Sequence, residues 1–197
     1  MPEKHLQQYF GFTTFKQGQR EVIERILRRQ SAGAIFPTGA GKSLCYQLPA
    51  ILLPGMTLVV SPLLSLMKDQ IDFLTKHNIP AARLDSTLSQ EEYMHIIEQA
   101  KCGKLKILMI AVERFKNERF RHHLKQMKVS FMAVDEAHCI SEWGHNFRPE
   151  YLKRPAYQKE FHIPQVLLLT ATATVQVRRD MCEKFNMAPD HLTVTGF

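Results

Sequence analysis

At 197 residues, with 45% hydrophobic and 23% charged residues, the chain is long enough to fill one extensive core and reads as a single domain. No apolar run approaches the roughly 20 residues that span a bilayer, and Met1-Pro2-Glu3-Lys4 lacks the apolar stretch of a signal peptide, so membrane partners are excluded and a soluble, cytoplasmic protein is expected. The formal net charge of +7 favours a polyanionic partner, while the separated Cys45, Cys102, Cys139 and Cys182 exclude a CxxC zinc site and a disulfide scaffold and predict reduced, buried thiols.

In chain order, a helix over 21–29 precedes a strand at 34–36, and a helix over 42–52 leads to a strand at 57–61. A helix over 63–76 follows, with Leu63, Leu64, Met67, Ile71 and Leu74 on one apolar stripe that docks on the sheet. Then come a strand at 81–84, a helix at 90–101, a strand at 106–110, a helix at 118–125 and a strand at 131–135. The series closes with a helix at 150–161, a strand at 166–170, a helix at 175–185 and a strand at 192–195. Alternating strands and helices build a mainly parallel sheet flanked by helices, so the fold class is α/β, with ligands expected beyond the carboxyl ends of the strands. The stretch 101–128 carries nine Lys and Arg but only Glu113 and Glu118 as acids, a bias that suits a polyanion, although a solvated face is the alternative.

Two segments carry chemistry. After the first strand, Pro37-Thr38-Gly39-Ala40-Gly41-Lys42-Ser43 opens a helix. Gly39 and Gly41 allow backbone conformations closed to other residues, so that successive N–H groups converge on phosphate oxygens. Lys42 then reaches the β- and γ-phosphates, and the Ser43 hydroxyl ligates Mg²⁺. Phe36 stands where the common form of this loop has its first glycine. The second segment is an apolar strand running into Asp135-Glu136-Ala137-His138. Asp135 falls where it holds the metal, and Glu136 where it orients or deprotonates an attacking water.

With these residues the chain resembles the helicases of superfamily 2, and further segments narrow the resemblance to the RecQ family. Leu6, Phe10-Gly11 and Phe15-Lys16-Gln17-Gly18-Gln19 resemble that family's adenine-recognition motif within residues 1–30, which implies cofactor contacts from Phe12, Lys16 and Gln19. Lys16 replaces the arginine common there. The run from Val59 to Gln70 is similar to the family's next motif and implies DNA contacts from Ser61, Ser65 and Lys68. In the Ile110–Phe115 segment the resemblance implies a phosphate contact from Arg114, and Val112 stands where proline is expected. Residues 137–151 are similar to the RecQ aromatic-rich loop, which implies that Trp143, His145, Phe147 and Arg148 bind single-stranded DNA and couple it to hydrolysis. Burial of Trp143 and Phe147 in the core is the alternative reading. Leu169-Thr170-Ala171-Thr172-Ala173-Thr174 resembles the coupling motif, with Thr170 and Thr172 as bridging hydroxyls.

The resemblance covers residues 6–197. It implies a RecA-like ATP-binding domain with ATP and Mg²⁺ as cofactors and Lys42, Asp135, Glu136 and His138 as the catalytic set. The expected partners are single-stranded and forked DNA near the chromosome, and a second RecA-like domain expected to lie outside this chain. A stand-alone nucleotide-responsive DNA-binding module without motor activity is the competing reading. A phosphate-loop kinase is a third, for which no acceptor site or arginine-bearing lid is found in the sequence.

Overall fold

The computed structural model describes every residue except Met1, Leu63, His145 and Phe197. Helices α1 (Pro2–Phe10) and α2 (Gln19–Leu27) precede strand β1 (Ala32–Ile35), followed by α3 (Leu44–Leu52), β2 (Met56–Val60), α4 (Leu64–Lys76) and β3 (Ala81–Leu84). The chain continues with α5 (Gln90–Lys101), β4 (Ile107–Ile110), α6 (Glu118–Leu124), β5 (Val129–Val134), α7 (Arg154–Glu160), β6 (Val166–Thr170), α8 (Val175–Lys184) and β7 (Leu192–Val194).

The strands form one parallel sheet in the order β3-β4-β2-β5-β6-β1-β7. Strands β1, β2, β4, β5 and β6 are buried along their whole length, which is why they read as unbroken apolar runs. Alternate residues serve the two faces. Leu58, Val60, Ile110, Met132, Val134 and Leu168 meet Ile97, Phe120, Leu124, Val177 and Met181 from α5, α6 and α8. Val59, Met109, Phe131, Ala133 and Leu169 meet Leu6, Ile23, Ile26, Tyr46, Leu48 and Leu74 from α1 to α4. At about 1.5–3 kcal/mol for each fully buried large apolar side chain, these two layers fix the sheet between its helices.

The α/β class and the seven expected strands are present, and the differences lie at the helices. Helix α1 has no counterpart in the sequence reading; it docks through buried Leu6 and Phe10, one turn apart. The helix expected over 150–161 is instead a 3₁₀ turn at Pro149–Lys153 and then α7, because a proline at the start of α7 has no N–H to continue a preceding helix. Helix α3 begins at Leu44, two residues later than expected, and α2 begins at Gln19, two residues earlier. Of the expected apolar stripe, Leu63 lies outside the described residues, Met67 and Leu74 are buried, and Ile71 is half-buried. The expectation of four buried thiols is corrected at Cys102, which is exposed on the turn that ends α5; Cys45, Cys139 and Cys182 are buried. Among the described residues, no helix is long and apolar enough to cross a membrane.

Because every strand points the same way, the segments that leave the carboxyl ends share one edge of the sheet. Phe36 follows β1, Ser61 follows β2, Ala111 follows β4, Asp135 follows β5 and Ala171 follows β6. Strand β6 lies between β1 and β5, with Ile35 beside Thr170 and Val134 beside Leu168.

Candidate nucleotide site and aromatic loop

The chain leaves β1 at Phe36, whose N–H donates to the Thr170 carbonyl at 3.1 Å. The Phe36 ring is fully buried, and a Cβ on Gly18 would come within 2.9 Å of it. The aromatic that replaces the usual glycine is therefore accommodated by a glycine elsewhere. Gly39 (φ 85°) faces open space, with nothing within 4 Å of where a Cβ would stand. Gly41 (φ 82°) has no such room: a Cβ there would lie 2.1 Å from Gln19 Nε2.

Two residues from the N-terminal segment strap this loop. Gln19 Nε2 donates to the Gly41 carbonyl at 2.9 Å, Gln19 Oε1 accepts from the Lys16 N–H at 2.7 Å, and Lys16 Nζ donates to the Gly39 carbonyl at 3.0 Å. One amide hydrogen and one carbonyl lone pair of Gln19 remain beyond these bonds. Phe12 is exposed, as are Thr38 and Gly39, while Ala40, Lys42 and Ser43 are half-buried. Lys42 Nζ donates to the Phe36 carbonyl at 3.1 Å, folding its ammonium back across the loop. Ser43 accepts from Tyr46 and Gln47 through its carbonyl as α3 begins.

Asp135 is held from four sides. Its N–H donates to the Val60 carbonyl at 2.8 Å, and its carbonyl accepts from the Tyr151 hydroxyl at 3.0 Å. Its carboxylate accepts from the Glu136 N–H at 2.9 Å and from the Ser61 hydroxyl at 3.4 Å. Burial pushes the Asp135 carboxyl above the ordinary carboxylate range, the Glu136 charge adds to this, and the Glu136 N–H, the Lys42 ammonium and the Ser61 hydroxyl oppose it. Lys42 and Asp135 thus lie within one electrostatic neighbourhood, on either side of the β6 tip. Glu136 takes a left-handed backbone conformation (φ 53°), an uncommon state for a residue with a side chain, and so turns sharply out of the strand.

His138 connects the acids to β6. Its Nδ1 lies 2.6 Å from Thr170 Oγ1 and 3.5 Å from Glu136 Oε2. The Thr170 hydroxyl also lies 3.1 Å from the Thr172 carbonyl, so one hydroxyl links His138 to the segment after β6.

The residues fit a nucleoside polyphosphate with a hard divalent cation. Backbone at Gly39 is open to a large oxyanion, Lys42 supplies a neighbouring cation, and Ser43 and Asp135 supply a hydroxyl and a carboxylate. Among the described residues, no three His, Cys, Asp or Glu side chains gather as a metal cage. A Mg²⁺ that shares phosphate oxygens needs only one or two protein ligands.

On the other half of the edge, Trp143 is 73% exposed, which removes it from the core; the buried aromatic of this segment is Tyr151, with no exposed surface. Phe147 is half-buried and lines a cleft of about 510 Å³ with Pro62, Glu136, His138 and Arg148. The Arg148 guanidinium pairs with Glu113 at 2.5 Å and Glu150 at 3.5 Å. Arg114 stands 5.9 Å above the Tyr93 ring. Val112, in the place of the expected proline, is buried in the core. Ser65 and Lys68 are exposed on α4, Thr172 is exposed beside buried Thr170, and His145 lies outside the described residues.

Sequence reasoning missed Tyr151 as a brace for Asp135 and Glu113 as the partner of Arg148. It also missed Asp180, which accepts from the Ser141 hydroxyl at 2.6 Å. These partners come from distant segments and carry no local signal.

Residues 16–181 match the model of the DEAD/DEAH box helicase family. The chain is 43% identical to the ATP-dependent DNA helicase RecQ of Bacillus subtilis over 194 residues, covering 98% of this chain and 33% of that protein. It is 46% identical to the probable ATP-dependent DNA helicase RecS of the same organism, covering 91% of this chain and 36% of that protein. The chain therefore spans about a third of the length of these curated relatives. Among solved structures, the helicase MrfA bound to DNA superposes with a TM-score of 0.73 at 15% identity, over 98% of this chain and 27% of that one. The Hef helicase domain of Pyrococcus furiosus superposes with a TM-score of 0.69 at 18% identity, over 98% of this chain and 39% of that one. At these identities the structures establish the shared fold.

Proposed function

Since the chain belongs to the DEAD/DEAH box helicase family, with RecQ helicases among its curated relatives, we propose that it is the ATP-binding RecA-like domain of a 3′-to-5′ DNA helicase. In this reading it couples ATP hydrolysis to movement along single-stranded DNA and to unwinding of forked DNA. The work belongs to DNA repair and recombination on the chromosome. The observation that carries the proposal is the meeting of Lys42, Asp135, Glu136 and the His138–Thr170 hydrogen bond around a single strand tip.

In this reading Lys42 leaves the Phe36 carbonyl for the β- and γ-phosphates, and Ser43 and Asp135 would hold a Mg²⁺ ion, which would supply positive charge beside the transferring phosphoryl group. Glu136 orients the attacking water and takes its proton. Phe12 and Gln19 face the adenine base, while Lys16 and Gln19 keep the phosphate loop in shape. His138, hydrogen-bonded to Thr170, reports the state of the acid pair to Thr172 and to the nucleic-acid side.

Trp143 and Phe147 offer faces to bases, at about 1–3 kcal/mol per stacked base; Ser65, Lys68, Arg114 and Arg148 contact the DNA backbone, His145 belongs to the same DNA-binding loop, and Ser61, buried beside Asp135, serves coupling. A second RecA-like domain of the full-length protein supplies the arginine residues that complete hydrolysis, a contribution of about 10³–10⁵ in rate. The present chain on its own is accordingly slow.

The test is steady-state ATP hydrolysis by this chain and by a form extended through a second RecA-like domain, each with and without single-stranded DNA. Lys42→Ala abolishes turnover in both forms, and Trp143→Ala removes DNA stimulation from the extended form while sparing nucleotide binding. DNA-stimulated turnover in Lys42→Ala equal to that of the unmodified protein would overturn the proposal.

A further inference from the structure

We infer that Asp180 is a positioning residue for the aromatic loop, holding Trp143 in place through Ser141; the inference rests on the reading of Trp143 as a base-stacking residue. Ser141 has no exposed surface. Its hydroxyl donates to Asp180 Oδ2 at 2.6 Å and accepts from the Trp143 N–H at 3.1 Å. A serine hydroxyl has one hydrogen, and the carboxylate takes it, so the lone pairs are turned toward the Trp143 amide. The 2.6 Å separation is that of a charge-assisted O–H to carboxylate bond. Asp180 thereby sets the direction of the acceptor that fixes the loop backbone.

The same helix meets the loop a second time. A Cβ on Gly144 would stand 3.1 Å from Val177 Cγ2, so α8 packs close against the loop backbone one residue beyond Trp143. Helix α8 is capped by Thr174, whose hydroxyl accepts from the Val177 N–H at 3.3 Å, and it follows directly on Thr170 and Thr172. The far side of the loop is closed by the Arg148 N–H, which donates to the Cys139 carbonyl at 2.9 Å.

One helix thus starts at the segment hydrogen-bonded to His138 and carries two of the contacts that hold the stem of the loop. An indole with 73% of its surface exposed is not held by packing, so its backbone must be held if a base is to find it already in place. Asp180, on this reading, makes that arrangement stiff and ties it to the β6 tip.

Trp143 is the single tryptophan of the chain, so its fluorescence reads the loop directly. In the 197-residue chain without DNA, Asp180→Ala and Ser141→Ala lower the anisotropy of Trp143 and raise its quenching by acrylamide. Asp180→Asn, whose amide oxygen still accepts from Ser141, retains the original values. Binding to an oligo(dT) single strand weakens about threefold to tenfold in both alanine variants, the effect of losing one hydrogen bond. Affinity for a fluorescent ATP analogue is unchanged. The double variant is no weaker than either single one, as expected for two residues acting through one link.

Asp180→Ala with the anisotropy and DNA affinity of the unmodified chain overturns the inference, as does full additivity in the double variant. Should Asp180→Ala lose its far-ultraviolet circular dichroism, Ser141→Ala, which removes one oxygen from a buried site, decides the matter by the same two readings. An unmodified chain that ignores oligo(dT) defeats the DNA reading, whereas the anisotropy, measured without DNA, still judges the anchor.

Discussion

At the tips of β1, β6 and β5 several polar side chains are held by their neighbours. Gln19 and Lys16 strap the phosphate loop, the Glu136 N–H and Ser61 hydroxyl fix the Asp135 carboxylate, and His138 is bonded to Thr170. Across the same edge the aromatic loop presents Trp143 almost bare to solvent, and its Arg148 is engaged by two carboxylates. On the proposed function the difference matches the task of each half. Phosphoryl transfer demands groups placed before the reaction, whereas gripping a strand with no fixed sequence demands exposed flat faces on a steady stem. Rigidity on one side and exposure on the other are features of one domain, joined by β6 and α8.

The largest effect that tests this contrast is expected at Gly41→Ala. A Cβ would collide with Gln19 Nε2, 2.1 Å away, at a φ of 82° that alanine rarely adopts. Nucleotide affinity should fall by about a hundredfold, because conformational strain of this kind costs on the order of 1–3 kcal/mol and the displaced Gln19 releases the loop as well. Titration of a fluorescent ATP analogue measures it; an unchanged Kd would mean that the strap is dispensable.

A smaller effect is expected on the exposed half. Glu113→Gln removes one of the two carboxylates on Arg148, and single-strand affinity should rise about threefold with a steeper dependence on salt. Fluorescence anisotropy of labelled DNA across a salt series reads both quantities, and weaker binding would show instead that Glu113 aims Arg148 at the strand.

The smallest effect is one of stability. The Asp135 carboxyl is held above its ordinary value, so between that value and its folded value the native chain binds more protons than the unfolded one, and stability falls as pH rises through the window. Asp135→Asn should therefore raise the Tm of the nucleotide-free chain by about 2–4 °C at pH 7, with the gain vanishing below pH 4, while activity is lost. A lower Tm at pH 7 would show that the hydrogen bonds to the carboxylate outweigh its burial.

Much of this frame can be read from the chain itself. Val129–Val134 and Val166–Thr170 are apolar along their full length because both faces of the sheet are covered, and such runs stand out in any sequence. Phosphate loop and acid pair are equally visible, since each is local and ends a strand. Helix α1 is not, because two buried residues one turn apart make too short a period. The break before α7 shows the limit of periodicity where the pattern continues but a backbone donor is missing. The links Tyr151–Asp135, Arg148–Glu113 and Ser141–Asp180 span 16, 35 and 39 residues, and only the folded topology brings their ends together.

The place of β6 has a consequence for how the molecule comes into being. The phosphate loop is synthesised early, yet β6, the strand that lies between it and the acid pair, is drawn from residues 166–170. Residues up to 170 must be made before the two halves of the pocket can acquire their final spacing, so a ligand that bridges them has nothing to stabilise in the shorter nascent chains. Until that central strand is inserted, β1 has no partner that joins it to the β3-β4-β2-β5 part of the sheet, and the edges of both remain unpaired.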